Sequence, residues 1–166
     1  MLKESLGVLH PGAPRARWVN LSMDKVVRDR VLVVDDDDAI LRLICPLLEA
    51  EDLDPECVHS GSEAIDRLTR EQFAVVLLDL RMPSGDGFGV IEFLEKSNLE
   101  VPPIVLVVSA YADEKLERDL ASSMVTGVIR KPFDPTNLGA VVERYASKFA
   151  RQSLRAAKAA AQREMT

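Results

Sequence analysis

Apolar residues are distributed along this chain in two alternating patterns. Val31-Leu32-Val33-Val34, Val75-Val76-Leu77-Leu78 and Val105-Leu106-Val107-Val108 are unbroken apolar runs of strand length, as expected of strands covered on both faces. With the weaker patterns around Cys57 and Val128-Ile129, they predict strands at 31–35, 54–59, 74–79, 104–109 and 126–130. Between them apolar residues recur every three or four positions, which predicts helices at 38–51, 62–71, 87–97, 113–123 and from 136 onward. Five such alternations predict an α/β fold, a doubly wound (βα)5 parallel sheet.

Local residues mark the helix ends. Ser62 precedes a periodic run that begins at Ala64, and Asp134-Pro135 places an acid and a proline where the last helix opens. Pro46 falls inside the first helix, where it removes a hydrogen bond at a cost of about 3 kcal/mol or more. A kink is expected there rather than a break, because Ile40, Leu43, Ile44, Leu47 and Leu48 keep one apolar stripe across it.

Residues 1–28, with Pro11, Gly12 and Pro14, lack sustained periodicity and read as an N-terminal extension. Residues 29–150 form the domain, and 151–166 a C-terminal helical tail. Leu138, Val141, Val142, Tyr145 and Phe149 give the last helix a docking face. Beyond Phe149 the chain is rich in Ala, Lys, Arg, Gln and Glu, helical by propensity but with little to bury. That stretch reads as a frayed, solvated tail or as a short dimerisation or linker helix.

Bulk properties narrow the function classes. The 166 residues are 47% apolar with a mean hydropathy of +0.00, as in soluble globular proteins. A net charge of −6 offers no basic footprint, so neither nucleic acid nor membrane is expected as a direct partner. No run approaches the roughly 18 apolar residues that cross a bilayer, and a cytoplasmic location is expected. Cys45 and Cys57 lack metal-ligand spacing and are expected to be buried free thiols.

The candidate chemistry lies where apolar runs end in polar residues. The first runs into Asp35-Asp36-Asp37-Asp38 and the third into Asp79, which brings carboxylates to the carboxyl edge of the sheet, where open α/β sheets bind ligands. Two carboxylates 4 Å apart repel by about 1 kcal/mol in bulk water and about 4 kcal/mol at an effective dielectric of 20, so a cation is called for. An all-oxygen donor set suits Mg2+. Ser109 and Lys131 end the fourth and fifth runs at the same edge and add a hydroxyl and an ammonium, groups that bind a tetrahedral dianion. An aspartate here could attack a phosphoryl group to give an acyl phosphate. Taken singly, each residue has an ordinary explanation, and Asp37 and Asp38 are assigned to helix capping.

Four motifs, VLVVDDD at 31–37, LLDLRMPSGDG at 77–87, VVSA at 107–110 and KPF at 131–133, resemble the receiver domain of two-component response regulators. The resemblance spans about residues 30–150 and implies a flavodoxin-like sheet of strand order 2-1-3-4-5. It also implies a cis peptide bond before Pro132. By position, Asp79 resembles the phosphoacceptor, Asp35 and Asp36 the magnesium-binding acids, and Arg81 the residue lending its backbone carbonyl to the metal. Ser109 matches the switch hydroxyl, Lys131 the phosphate-contacting lysine, and Ala110 the small residue beside the site.

The resemblance implies a single-domain phosphoacceptor signalling protein rather than an enzyme acting on external substrates. Its partners would be a histidine kinase or phosphotransfer protein and a downstream effector that reads the face of fourth helix, fifth strand and last helix. The same face could support a homodimer. Other readings are a phosphorylation-independent scaffold and a receiver fragment of a longer regulator or hybrid kinase. An aspartyl-phosphate hydrolase would carry an acid where Arg81 stands, and a nucleotide or flavin binder a glycine-rich loop where four aspartates stand. Val128 replaces the family's usual Tyr or Phe, and 122–127 lacks the Gly-Ala pattern before the fifth strand. Bulky Arg81 and Tyr111 imply slow hydrolysis of the acyl phosphate.

Overall fold

In the computed structural model, residues 30–83, 85–110, 114–121 and 123–164 are described. The expected N-terminal extension at 1–28 and Tyr111 lie outside them.

The chain alternates strands and helices: β1 (Arg30–Val34), α1 (Asp38–Ala50), β2 (Asp54–Val58), α2 (Gly61–Arg70), β3 (Val75–Leu78), β4 (Arg81–Met82), β5 (Gly85–Asp86), α3 (Gly87–Lys96), β6 (Ile104–Ser109), α4 (Glu114–Leu120), β7 (Val125–Arg130) and α5 (Pro135–Glu164). The main sheet has the order β2-β1-β3-β6-β7 and every pairing in it is parallel. Counting only its five strands, this is the 2-1-3-4-5 order of a flavodoxin-like fold. The additional β4-β5 ribbon is antiparallel and stands apart. With two residues per strand it is too short to leave a periodic signal.

The unbroken apolar runs follow from burial on both faces. Val31, Val33, Val75, Leu77, Leu106 and Val108 pack beneath Ile44 and Leu48 of α1 and Val142 and Phe149 of α5. The alternate residues Leu32, Val34, Val76, Leu78, Val105 and Val107 face Ala64, Val90, Leu94 and Leu120 of α2, α3 and α4. Period-two alternation within each strand thus feeds two cores at once.

Several local expectations are refined. The N-cap of α2 is Ser60, whose hydroxyl accepts from Glu63 N at 3.2 Å, while the Glu63 carboxylate accepts from His59 N; Ser62 lies inside the helix. Asp37 caps α1 by accepting from Ala39 N, as the aspartate run implied. Pro46 does not break α1, which is continuous over its 13 residues. Pro46 and Arg42 are both exposed, so the carbonyl left without an amide donor faces water. Cys45 and Cys57 are not free thiols: they form a disulfide between α1 and β2. Sequence spacing did not show that a short turn lays this helix beside this edge strand.

The last helix, α5, has 30 residues and a length of about 45 Å. Leu138, Val142, Ala146 and Phe149 bury its first half. The frayed-tail reading gives way to continuous helix through Glu164.

Candidate metal and phosphate site at the carboxyl edge

Parallel pairing in register brings the ends of β1 and β3 side by side, with Val34 opposite Leu78. The next residues, Asp35 and Asp79, therefore emerge together. Asp35 is 3% exposed, its Oδ1 accepts from Asp37 N at 2.9 Å, and its own N–H donates to Val58 O. Asp79 is fixed in the same way, with Oδ1 accepting from Arg81 N at 2.9 Å. Asp36 is exposed. One ligand atom from each of Asp35, Asp36 and Asp79 lies within 4.8 Å of the others.

Lys131 reaches this cluster from the end of β7. Its Nζ donates to Asp35 Oδ2 at 2.6 Å and to Asp79 Oδ2 at 2.9 Å, with all three side chains largely buried. The peptide bond that follows it, to Pro132, is cis. Lys131 N donates to Ser109 O at 2.9 Å, which ties the ends of β6 and β7 together. Ser109 is buried at 1% exposure and borders a cleft with Leu80, Arg81, Phe88 and Lys115. The residues singled out from sequence thus share one edge.

The electrostatics reflect competition between burial and pairing. Burial pushes the Asp35 carboxyl above its usual range; the Lys131 hydrogen bond and the Asp37 amide pull it back only in part. Burial alone would lower Lys131, but its hydrogen bonds to Asp35 and Asp79 prevail and raise it. The raised Lys131 value keeps its ammonium charged where it bridges the two side chains.

The donor set fits a hard divalent cation. In an octahedral shell with bonds of about 2.1 Å, donor atoms lie roughly 3 to 4.2 Å apart. Ligand atoms that all lie within 4.8 Å of one another need at most a slight contraction. All three donors are carboxylate oxygens, and exposed Asp36 leaves the site open to water and phosphate oxygens.

Gly87, at the start of α3, matters through its lack of a side chain. A Cβ there would collide with the carbonyl oxygen of Asp79 and lie 2.6 Å from Leu80 Cα, both backbone atoms. The helix can approach the end of β3 this closely only with glycine. The sequence reading missed His59, whose Nε2 lies 2.8 Å from Asp38 Oδ1 at the rim. A lone histidine after a strand carries no signal for such a contact.

The model of the response regulator receiver domain family matches residues 31–143. Among curated relatives, the sensor protein GacS of Pseudomonas syringae pv. syringae is 33% identical over 136 residues, 78% of this chain and 15% of that protein. Two solved structures are similar over nearly their full length. The receiver domain of Francisella response regulator 1452 is 26% identical with a TM-score of 0.66, covering 72% of this chain and 98% of that one. The response regulator TrrA of Thermotoga maritima, solved in complex with Mg2+ and BeF, is 26% identical with a TM-score of 0.61, covering 70% and 98%. The chain spans less than half the length of the curated sensor and regulatory proteins it matches, down to 12% of one sensor kinase. Among the described residues, no helix is long and apolar enough to cross a membrane.

Proposed function

The chain belongs to the response regulator receiver domain family, and from that premise we propose that it accepts a phosphoryl group on Asp79 and signals through protein contacts. One observation carries this reading: Lys131 Nζ bridges Asp35 and Asp79, with Asp36 beside them. Packing alone does not call for two aspartates and a lysine at one edge, since well-packed apolar residues there would avoid the cost of desolvating three charges.

In this proposal Asp79 is the nucleophile. A carboxylate oxygen attacks phosphorus, the bond from phosphorus to the donor imidazole nitrogen breaks, and the imidazole leaves with the electron pair and takes up a proton. An acyl phosphate remains on Asp79. Asp35, Asp36, Asp79 and the Arg81 carbonyl would hold Mg2+, which when bound supplies positive charge against the phosphoryl oxygens. Lys131 then exchanges part of its carboxylate pairing for a phosphoryl oxygen, and the Ser109 hydroxyl donates to another. Because Lys131 N is bonded to Ser109 O, a shift in either residue is felt at the ends of β6 and β7. This is the switch. The protein would catalyse only the gain and loss of its own phosphoryl group.

The proposed donor is a histidine kinase or phosphotransfer protein. A downstream effector, or a second copy of the chain, would read the face of α4, β7 and α5, and a cytoplasmic location suits such partners. A second reading, a receiver module within a longer regulator or hybrid kinase, is favoured by α5, which continues unbroken to Glu164 well past its last fully buried residue.

The test is incubation with a small phosphodonor such as acetyl phosphate, with and without Mg2+, followed by intact mass. One added phosphoryl group is expected, dependent on Mg2+ and absent in Asp79→Asn. No adduct from a phosphodonor or from phosphohistidine protein would overturn the proposal and leave the scaffold reading, for which Val128 in place of an aromatic is the supporting feature.

A further inference from the structure

The net charge of −6 hides an uneven distribution. Residues 144–163, all within α5, contain six cations and no acid, so the remainder of the chain carries −12. Their order along the helix is regular: Arg144, Lys148, Arg151, Arg155 and Lys158 are spaced by four, three, four and three residues. At about 100° per residue they fall within an arc of about 80°. The buried residues Leu138, Val142, Ala146 and Phe149 lie on the opposite side. All five cations, and Arg163 beyond them, are exposed. Elsewhere Arg30, Arg42, Arg67, Arg70, Lys96 and Lys131 have carboxylate partners. The six on α5 have no ion pair among the described residues; Lys148 lies 6.0 Å from the Tyr145 ring.

We propose that this basic stripe binds the phosphate backbone of double-stranded nucleic acid without sequence preference. The choice of occupant rests on what else the segment offers. Protein interfaces are typically anchored by apolar or aromatic side chains in desolvated pockets, and a helix embedded in a membrane surface by a broad apolar face; past Phe149 the only large apolar side chain through Glu164 is Leu154. A polyphosphate backbone needs neither, because its affinity comes from charge and counterion release. Four of the six cations are arginines, suited to bidentate phosphate contacts, and the intervening alanines let the helix backbone come close. Distance along the helix weakens the opposing field of the acidic body at its far end: Lys158 and Arg163 stand about 13 and 21 Å along the axis beyond Phe149, more than one and two Debye lengths at physiological salt.

The test is anisotropy of a labelled mixed-sequence DNA duplex of about 20 base pairs, titrated with the full chain over a range of salt. Binding is expected at low salt, weakening with a log–log slope of about −4 to −5, the value for five or so neutralised phosphates. Arg151→Gln with Arg155→Gln should reduce that slope by about 2, whereas Arg151→Lys with Arg155→Lys should keep it. Helicity by circular dichroism and phosphoryl uptake should be unchanged in both. Absence of duplex binding, a slope unaltered by the glutamine pair, or capture by anionic phosphatidylserine vesicles with no duplex binding would each overturn the proposal.

Discussion

Replacing Lys131 by methionine removes the ammonium while keeping most of the volume, and its consequence can be worked from the geometry. Asp35 and Asp79 then face each other without the group that lies 2.6 and 2.9 Å from their oxygens. With ligand atoms within 4.8 Å and an effective dielectric of 20, the repulsion between two carboxylates is at least about 3.5 kcal/mol. Removing one partner of a buried pair typically costs about 3–5 kcal/mol. We therefore expect a loss of about 3 kcal/mol at pH 7 without Mg2+, or about 10 °C in Tm for a chain of this size. The loss should depend on pH in both directions. The native Asp35 pKa lies above its ordinary value of 3.8, so the folded state holds a proton that the unfolded chain has released, and ionisation works against stability as pH rises through that window. Without Lys131 the window moves upward, and acidification from pH 7 toward 5 should recover part of the loss. The Lys131 contribution is fully present below its ordinary value of 10.5 and disappears as pH rises through the higher native value, so at strongly alkaline pH wild type and variant should converge. Mg2+ should rescue the variant more than the wild type. Denaturant melts across pH, with and without Mg2+, check all of this. A variant as stable as wild type at pH 7, with no response to acid or Mg2+, would refute the electrostatic reasoning.

Three further changes test separate parts of the structure. Gly87→Ala puts a methyl group against backbone at Asp79 and Leu80 and should cost about 2 kcal/mol or more while slowing phosphoryl uptake, read by urea melts and intact mass; an unperturbed variant would show that α3 can retreat. Ser60→Ala deletes the α2 cap and should cost about 1 kcal/mol in the same melts without altering phosphoryl uptake. Reducing the Cys45–Cys57 disulfide, whose cysteines are 12 residues apart, should cost up to about 3 kcal/mol by the chain-entropy model, and identical melts with and without reductant would count against a stabilising bridge.

How much could be read in advance depended on the length of the signal. The five sheet strands were legible because runs such as Val75-Val76-Leu77-Leu78 feed two cores and admit no polar interruption. The site was legible for a related reason: acids and a lysine directly after such runs must emerge at one edge, and the register of β1 on β3 put Asp35 beside Asp79. What escaped depended on contacts with no sequence period. The β4-β5 ribbon has two residues per strand, the Cys45–Cys57 pair is set by how α1 lies on β2, and the choice of Ser60 over Ser62 as cap is decided by which hydroxyl reaches Glu63 N. The basic stripe of α5 escaped because the net charge of −6 sums a +6 segment at 144–163 with −12 over the rest of the chain.

The most direct measurement is to locate the phosphoryl group chemically. After reaction with a phosphodonor and Mg2+, borohydride reduction converts an aspartyl phosphate to homoserine, and peptide mass mapping identifies the residue. The account predicts conversion at Asp79 alone, with Asp35 and Asp36 intact. Conversion at either of those residues, or at none while the intact chain gains mass, would contradict it.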